Sequence, residues 1–136
     1  VQGRARDVLM TTAAISEHPS LYARRIATTI AAARINLTSE GTAHRDILAA
    51  LAAAGIEFQS EVRLSEANRI DVLCGAVGVE IKVGHPRRAI WKQLLRYAQH
   101  DCIKALVLAT GTAFPKNIRD VDGVPLVVAD LSRGWL

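Results

Sequence analysis

An α/β domain with a mixed central sheet flanked by helices is the fold class this sequence predicts, and three observations predict it. Residues 69–83, Arg-Ile-Asp-Val-Leu-Cys-Gly-Ala-Val-Gly-Val-Glu-Ile-Lys-Val, alternate apolar and polar side chains on either side of a Gly-Ala pair, as a β-hairpin with one buried face does. Residues 105–109, Ala-Leu-Val-Leu-Ala, form a continuous apolar run suited to a central strand covered on both faces. Stretches of helical periodicity precede and follow the hairpin.

Composition bounds the rest. A chain of 136 residues fits one domain and can bury a core without disulfides or structural metals. Half the residues are hydrophobic and no segment is of low complexity, so the chain is not a disordered one. Seventeen Lys and Arg against thirteen Asp and Glu leave a net charge of +4, compatible with a polyanionic partner but no proof of one. Cys74 and Cys102 have neither C-x-x-C spacing nor a nearby His pair, so neither a zinc site nor a disulfide framework is supported, and reduced thiols in an intracellular protein are expected. No run of about 18 apolar residues exists, so no membrane span is expected. The chain opens on Val and shows no signal-peptide pattern, which suits a processed, trimmed or excised segment.

In chain order, residues 4–16 read as a helix with Val8, Leu9, Ala13 and Ile15 apolar, and His18-Pro19 breaks it. Pro19 can open a second helix, to about Ile35, that buries Leu21, Ile26, Ile30 and Ala33 and turns Arg24, Arg25 and Arg34 elsewhere, to phosphates or simply to solvent. A third helix starts at Ser39, a good N-cap, and runs through Ile47, Leu48 and Leu51 to Gly55, which suits C′. Glu40 and His44 share one face of it, and an acid in a first turn also suits the helix dipole. Residues 56–64 alternate, with Ile56, Phe58, Val62 and Leu64 in phase, and residues 65–68 turn the chain into the hairpin, making three successive antiparallel strands. After Gly84-His85-Pro86 a helix to about His100 buries Ile90, Leu94, Leu95 and Ala98. On it Arg88, Lys92 and Arg96 form a basic stripe, and Gln93 and Tyr97 a second i,i+4 pair. The run at 105–109 follows, then a short helix or turn at 114–118. Residues 124–129 form a last strand that Pro125 pushes toward a sheet edge, and Trp135 anchors a tail.

The chemistry concentrates in the hairpin. With Gly75-Ala76 as the turn, Cys74 faces Val77, and counting back sets Asp71 opposite Glu80. Like charges placed across a ladder are destabilising unless they are well hydrated or a cation lies between them. A divalent metal would resolve the conflict, and Lys82 projects from the same face. The competing reading is a solvated strand face with a Glu–Lys surface pair.

The order helix, three antiparallel strands, helix, strand, with Asp71 on the second strand and Glu80-Ile81-Lys82 on the third, resembles the PD-(D/E)XK nuclease superfamily. That superfamily includes restriction endonucleases, archaeal-type Holliday-junction resolvases and RecB-like nuclease domains. The resemblance spans roughly Ser39 to Ala129, and implies one domain with a helical extension at 1–38, a restriction-endonuclease-like αβββαβ core at 39–129 and a tail at 130–136. It matches Asp71 to the motif Asp and Glu80 and Lys82 to E-x-K, and Gln93 and Tyr97 fit the Q-x-x-x-Y of RecB-like members. Ile70 stands where the motif has Pro. Glu40 best matches the acid of the first core helix, with Glu61 competing for that position.

The resemblance implies a Mg²⁺- or Mn²⁺-dependent deoxyribonuclease of DNA recombination or repair. Asp71, Glu80, the Ile81 carbonyl and Glu40 would hold metal, and Lys82 would act on the attacking water. Arg88, Lys92 and Arg96 would hold DNA phosphates, with Gln93 and Tyr97 positioning the DNA. His44 is a lesser candidate near the metal and reads better as a structural histidine. The leading expectation is a small endonuclease for branched or structured DNA, working as a homodimer as many small relatives do. A RecB-like exonuclease on DNA ends and a non-catalytic nucleic-acid-binding subunit are the alternatives.

Overall fold

Pro19–Ala32 is a helix (α1) because its apolar residues Tyr22, Ala23, Ile26, Ala27 and Ile30 recur on one face, and all five are buried. Pro19 lies in its first turn, and the His18 ring accepts from the Ser20 amide at 3.2 Å. The computed structural model to which these elements belong describes residues 17–131, so the expected helix at 4–16 and the Trp135 anchor lie outside the described residues. Glu40–Ala53 (α2) is capped by Ser39, whose hydroxyl accepts from the Thr42 amide while the Thr42 hydroxyl accepts from the Ser39 amide, a reciprocal capping box. Ala43, Ile47 and Leu51 bury one stripe of α2, and Gly55 follows its C-cap at φ 73°.

Three strands follow: β1 (Gln59–Arg63), β2 (Arg69–Cys74) and β3 (Val77–Lys82). Gly75 at φ 60° starts the two-residue turn that joins β2 to β3, and Cys74 pairs with Val77 as the alternation requires. Helix α3 (Arg87–Ala98) leads to β4 (Ala105–Thr110), all of whose residues are buried, then β5 (Asp120–Val121) and β6 (Val124–Asp130). The sheet order is β1-β2-β3-β4-β6-β5, with β3, β4 and β6 parallel and the other pairs antiparallel. Helices α1 and α2 cover one face around Ile26, Ile47, Val79 and Val107, and α3 covers the other around Ile90, Leu94, Leu106 and Leu108. No described helix is long and apolar enough to cross a membrane.

Two expectations are corrected. Strand β5 was not foreseen, although Asp122-Gly123 at φ 50° and 86° makes the two-residue turn that such a dipeptide favours. Pro125 pairs with Asp120 of β5 and lies ahead of the β4–β6 ladder, which begins at Leu126, so its missing N–H costs that ladder nothing. The second correction concerns strand phase. Ile56 and Phe58 join the α1/α2 side but Val62 and Leu64 the α3 side, and likewise Val72 and Ile70 part company. The cause is local: Glu61 takes φ 53°, and the β1–β2 register passes over it from Ser60↔Val72 to Val62↔Ile70. Both strands change face at the level of Asp71.

That twist folds Ile70 over Gly78. A Cβ at Gly78 would meet Ile70 Cδ1 at 2.3 Å, with Ile103 and Leu106 methyls at 3.2 and 3.3 Å. Gly78→Ala is therefore expected to destabilise the protein by about 1–3 kcal/mol through overpacking. Urea unfolding measures this, and a midpoint equal to wild type would contradict the packing described.

Candidate active site

The β2–β3 ladder runs Cys74↔Val77, Leu73↔Gly78, Val72↔Val79 and stops one step short of Asp71 and Glu80. Beyond it the carboxylates replace backbone pairing. Asp71 Oδ2 accepts from the Ile81 amide at 2.8 Å, and the Asp71 amide lies 3.4 Å from Glu80 Oε1. A strand residue turns its N–H and C=O to the same edge, so the Ile81 carbonyl faces this gap as well. The two acids thus converge where the sequence placed them, in an opening between strands rather than across a closed ladder.

Glu80 is 2% exposed, and Lys82, its side chain 14% exposed, brings Nζ to 3.3 Å from Glu80 Oε2. Burial above all, then the charge of Asp71, pushes the Glu80 carboxyl up to about 8, against the opposing pull of Lys82. The competing picture of a solvated strand face is excluded by that burial.

Helix α3 supplies the third side. Tyr97, 1% exposed, donates its hydroxyl to Arg69 O at 2.8 Å and lies 3.2 Å from Glu80 Oε2, and Gln93 Nε2 donates to Tyr97 Oη at 2.7 Å. The phenol has one proton, so with that proton on Arg69 O its oxygen can accept from Gln93 and from a protonated Glu80. Burial, with the nearby Glu80 charge second, raises the Tyr97 pKa and keeps it a neutral phenol. The expectation that Tyr97 positions DNA is therefore corrected: it is enclosed, and it orients Glu80, with Gln93 behind it. Arg88, Lys92 and Arg96 are exposed on the outer face of α3, with no side-chain partner among the described residues.

Of the two candidates for a further acid, Glu61 is exposed on the outer strand β1 with no polar partner described for its side chain. Glu40 instead reaches the end of β3. Its Oε2 accepts from the Val83 amide at 3.0 Å and pairs with His85 Nε2. Among the described residues, no three His, Cys, Asp or Glu side chains form a group able to hold a metal ion. His44 bonds Ser60 Oγ at 3.0 Å and ties α2 to β1, as a structural histidine does. His85 was missed by sequence reasoning, and its only signal was its place between Gly84 and Pro86, where the chain leaves the strand. Cys74 is buried and its thiol is pushed up to about 12 by burial, while Cys102 is exposed, and both are free.

The chain matches no protein-family model, no curated protein and no solved structure.

Glu80 ties stability to pH. Between about 4.5 and about 8 the folded protein holds a proton on Glu80 that the unfolded chain releases, so this contribution is complete below that window and lost as pH rises through it. In EDTA, wild type is expected to lose a few kcal/mol more than Glu80→Gln between pH 5 and 8.5. Thermal melts across that range measure the difference, and parallel pH profiles would contradict a proton on Glu80.

Proposed function

We propose that the protein is a divalent-metal-dependent DNA nuclease of the PD-(D/E)XK kind that hydrolyses phosphodiester bonds. The observation that carries this reading is the gap at Asp71 and Glu80, where two acids, one of them buried, converge beside Lys82. A carboxyl pushed up to about 8 by burial and a neighbouring acid ionises readily once a cation enters the gap. Two carboxylates and a backbone carbonyl are hard oxygen donors, which fits Mg²⁺ or Mn²⁺, either of which keeps several waters. When bound, such an ion supplies charge neutralisation at the phosphoryl oxygens and an acidified water.

The protein's own groups do the remainder. Asp71, held against the Ile81 amide, and Glu80, held by Tyr97 and Lys82, are oriented before any ion arrives. Lys82 Nζ, tethered at the gap, is placed to orient the attacking water and to offset negative charge as it builds on the phosphoryl group. The exposed stripe of Arg88, Lys92 and Arg96 lies on the helix that carries Gln93 and Tyr97, and it offers sequence-independent contacts to the DNA backbone. Within that class we favour a structure-specific endonuclease, by analogy with the small resolvase-like members of the superfamily.

Cleavage of linear, closed-circular, flapped and four-way-junction DNA, each with Mg²⁺, Mn²⁺ or EDTA, tests the proposal. Nicking of circles or junctions with either ion and none in EDTA is expected. Glu80→Ala and Lys82→Ala should each lower the rate by at least about 100-fold while DNA binding survives. Degradation confined to ends would select the exonuclease reading. Binding without cleavage under every condition would leave a non-catalytic subunit.

A further inference from the structure

We propose that Glu40 and His85 form a clamp that positions Lys82, and that Glu40 is not a ligand of the cation; this rests on reading the Asp71–Glu80 gap as a cation-holding catalytic site. Glu40 is the first residue of α2, fixed there by the Ser39–Thr42 capping box. From that anchor its Oε2 accepts from the Val83 amide and pairs with His85 Nε2. Val83 directly follows Lys82, and His85 lies three residues beyond Lys82, so both partners belong to the segment through which β3 leaves the sheet.

The other side of that segment is held too. The Lys82 carbonyl accepts from the Gly111 amide at 3.3 Å, and Lys82 pairs with Thr110 in the β3–β4 ladder. On the β2 side the ladder is already open at Asp71, so nothing from β2 restrains the backbone past Ile81. Gly84, at φ 76°, then turns the chain away toward α3. Without Glu40, the residue after Lys82 would lose its fixed hydrogen bond on that open side. A lysine acting on a water must be held within a fraction of an ångström of its place, and a strand end tethered to a helix N-terminus provides this.

A ligand role would require Glu40 to turn to a cation shared with Asp71 and Glu80, whereas its Oε2 is taken up by the Val83 amide and His85 Nε2. Oε1 of Glu40 takes no donor from the described residues, so the test must separate a clamp from a ligand. Glu40→Gln does so. With its amide oxygen in the place of Oε2 it can still accept from the Val83 amide and meet the imidazole, but it is a poor ligand for a hard cation.

Mn²⁺ affinity by calorimetry, hydrogen exchange at the Val83 amide in EDTA, and kcat against KM are measured for wild type, Glu40→Gln, Glu40→Ala, His85→Ala and Asp71→Asn. The clamp predicts that Glu40→Gln keeps the Mn²⁺ Kd within about threefold, whereas Glu40→Ala speeds Val83 exchange at least about tenfold and lowers kcat with KM little changed. His85→Ala should follow Glu40→Ala in direction, and Asp71→Asn should lose Mn²⁺ while Val83 stays protected. A Mn²⁺ Kd weakened about tenfold or more in Glu40→Gln, with Val83 protection intact, would make Glu40 a ligand and overturn the clamp. Unchanged Val83 exchange in Glu40→Ala would overturn it as well. If wild type takes up no Mn²⁺, the cation site fails, and the Val83 exchange still decides the clamp.

Discussion

A buried carboxyl beside a second carboxylate is the constraint on which the rest of this molecule turns. Glu80 is enclosed by α3 and the sheet, faces Asp71, and has one cation, Lys82, within 3.3 Å. Burying an ionised carboxylate next to another costs far more than a single part-buried ammonium returns, so the group keeps its proton near neutral pH. Its surroundings suit both states. Tyr97 and Lys82 can serve a charged Glu80, and the Tyr97 oxygen can accept from a neutral one.

The opening beside Glu80 is made by the backbone. Strands β1 and β2 reverse their faces at one level, driven by the positive φ of Glu61, and the β2–β3 ladder ends at that level. A closed ladder would have spent the Ile81 amide on a backbone carbonyl. Here Asp71 takes it, so the position of the acid is set by the neighbouring strand. The twist has a packing consequence as well, because Ile70 swings onto the α3 side and occupies the space above Gly78. Local strain, core packing and site geometry are therefore one feature seen at three scales.

Much of this was legible in the sequence because period-2 alternation and a glycine turn fix a hairpin's register. The juxtaposition of Asp71 and Glu80 followed from counting alone, and Ser39 marked a helix start through its capping hydroxyl and Pro86 through its fixed backbone. What was not legible depends on three-dimensional neighbours. Alternation carries no mark of a residue such as Glu61 that takes a positive φ, so Val62 and Ile70 were assigned to the wrong face. The Q-x-x-x-Y pair could be placed on one helix face, but whether that face met solvent or Glu80 depended on how α3 lies on the sheet. The Glu40–His85 contact joins residues 45 positions apart, beyond the reach of any local pattern. The β5 hairpin was missed although its Asp-Gly turn was in plain view.

The central claim is that the gap takes a divalent cation by displacing the proton on Glu80. Calorimetric titration with Mn²⁺ at pH 7, repeated in buffers of different ionisation enthalpy, counts the protons released on binding. The account predicts release of about one proton per ion in wild type and almost none in Glu80→Gln. Binding with no proton release in wild type, or no binding at all, would contradict it.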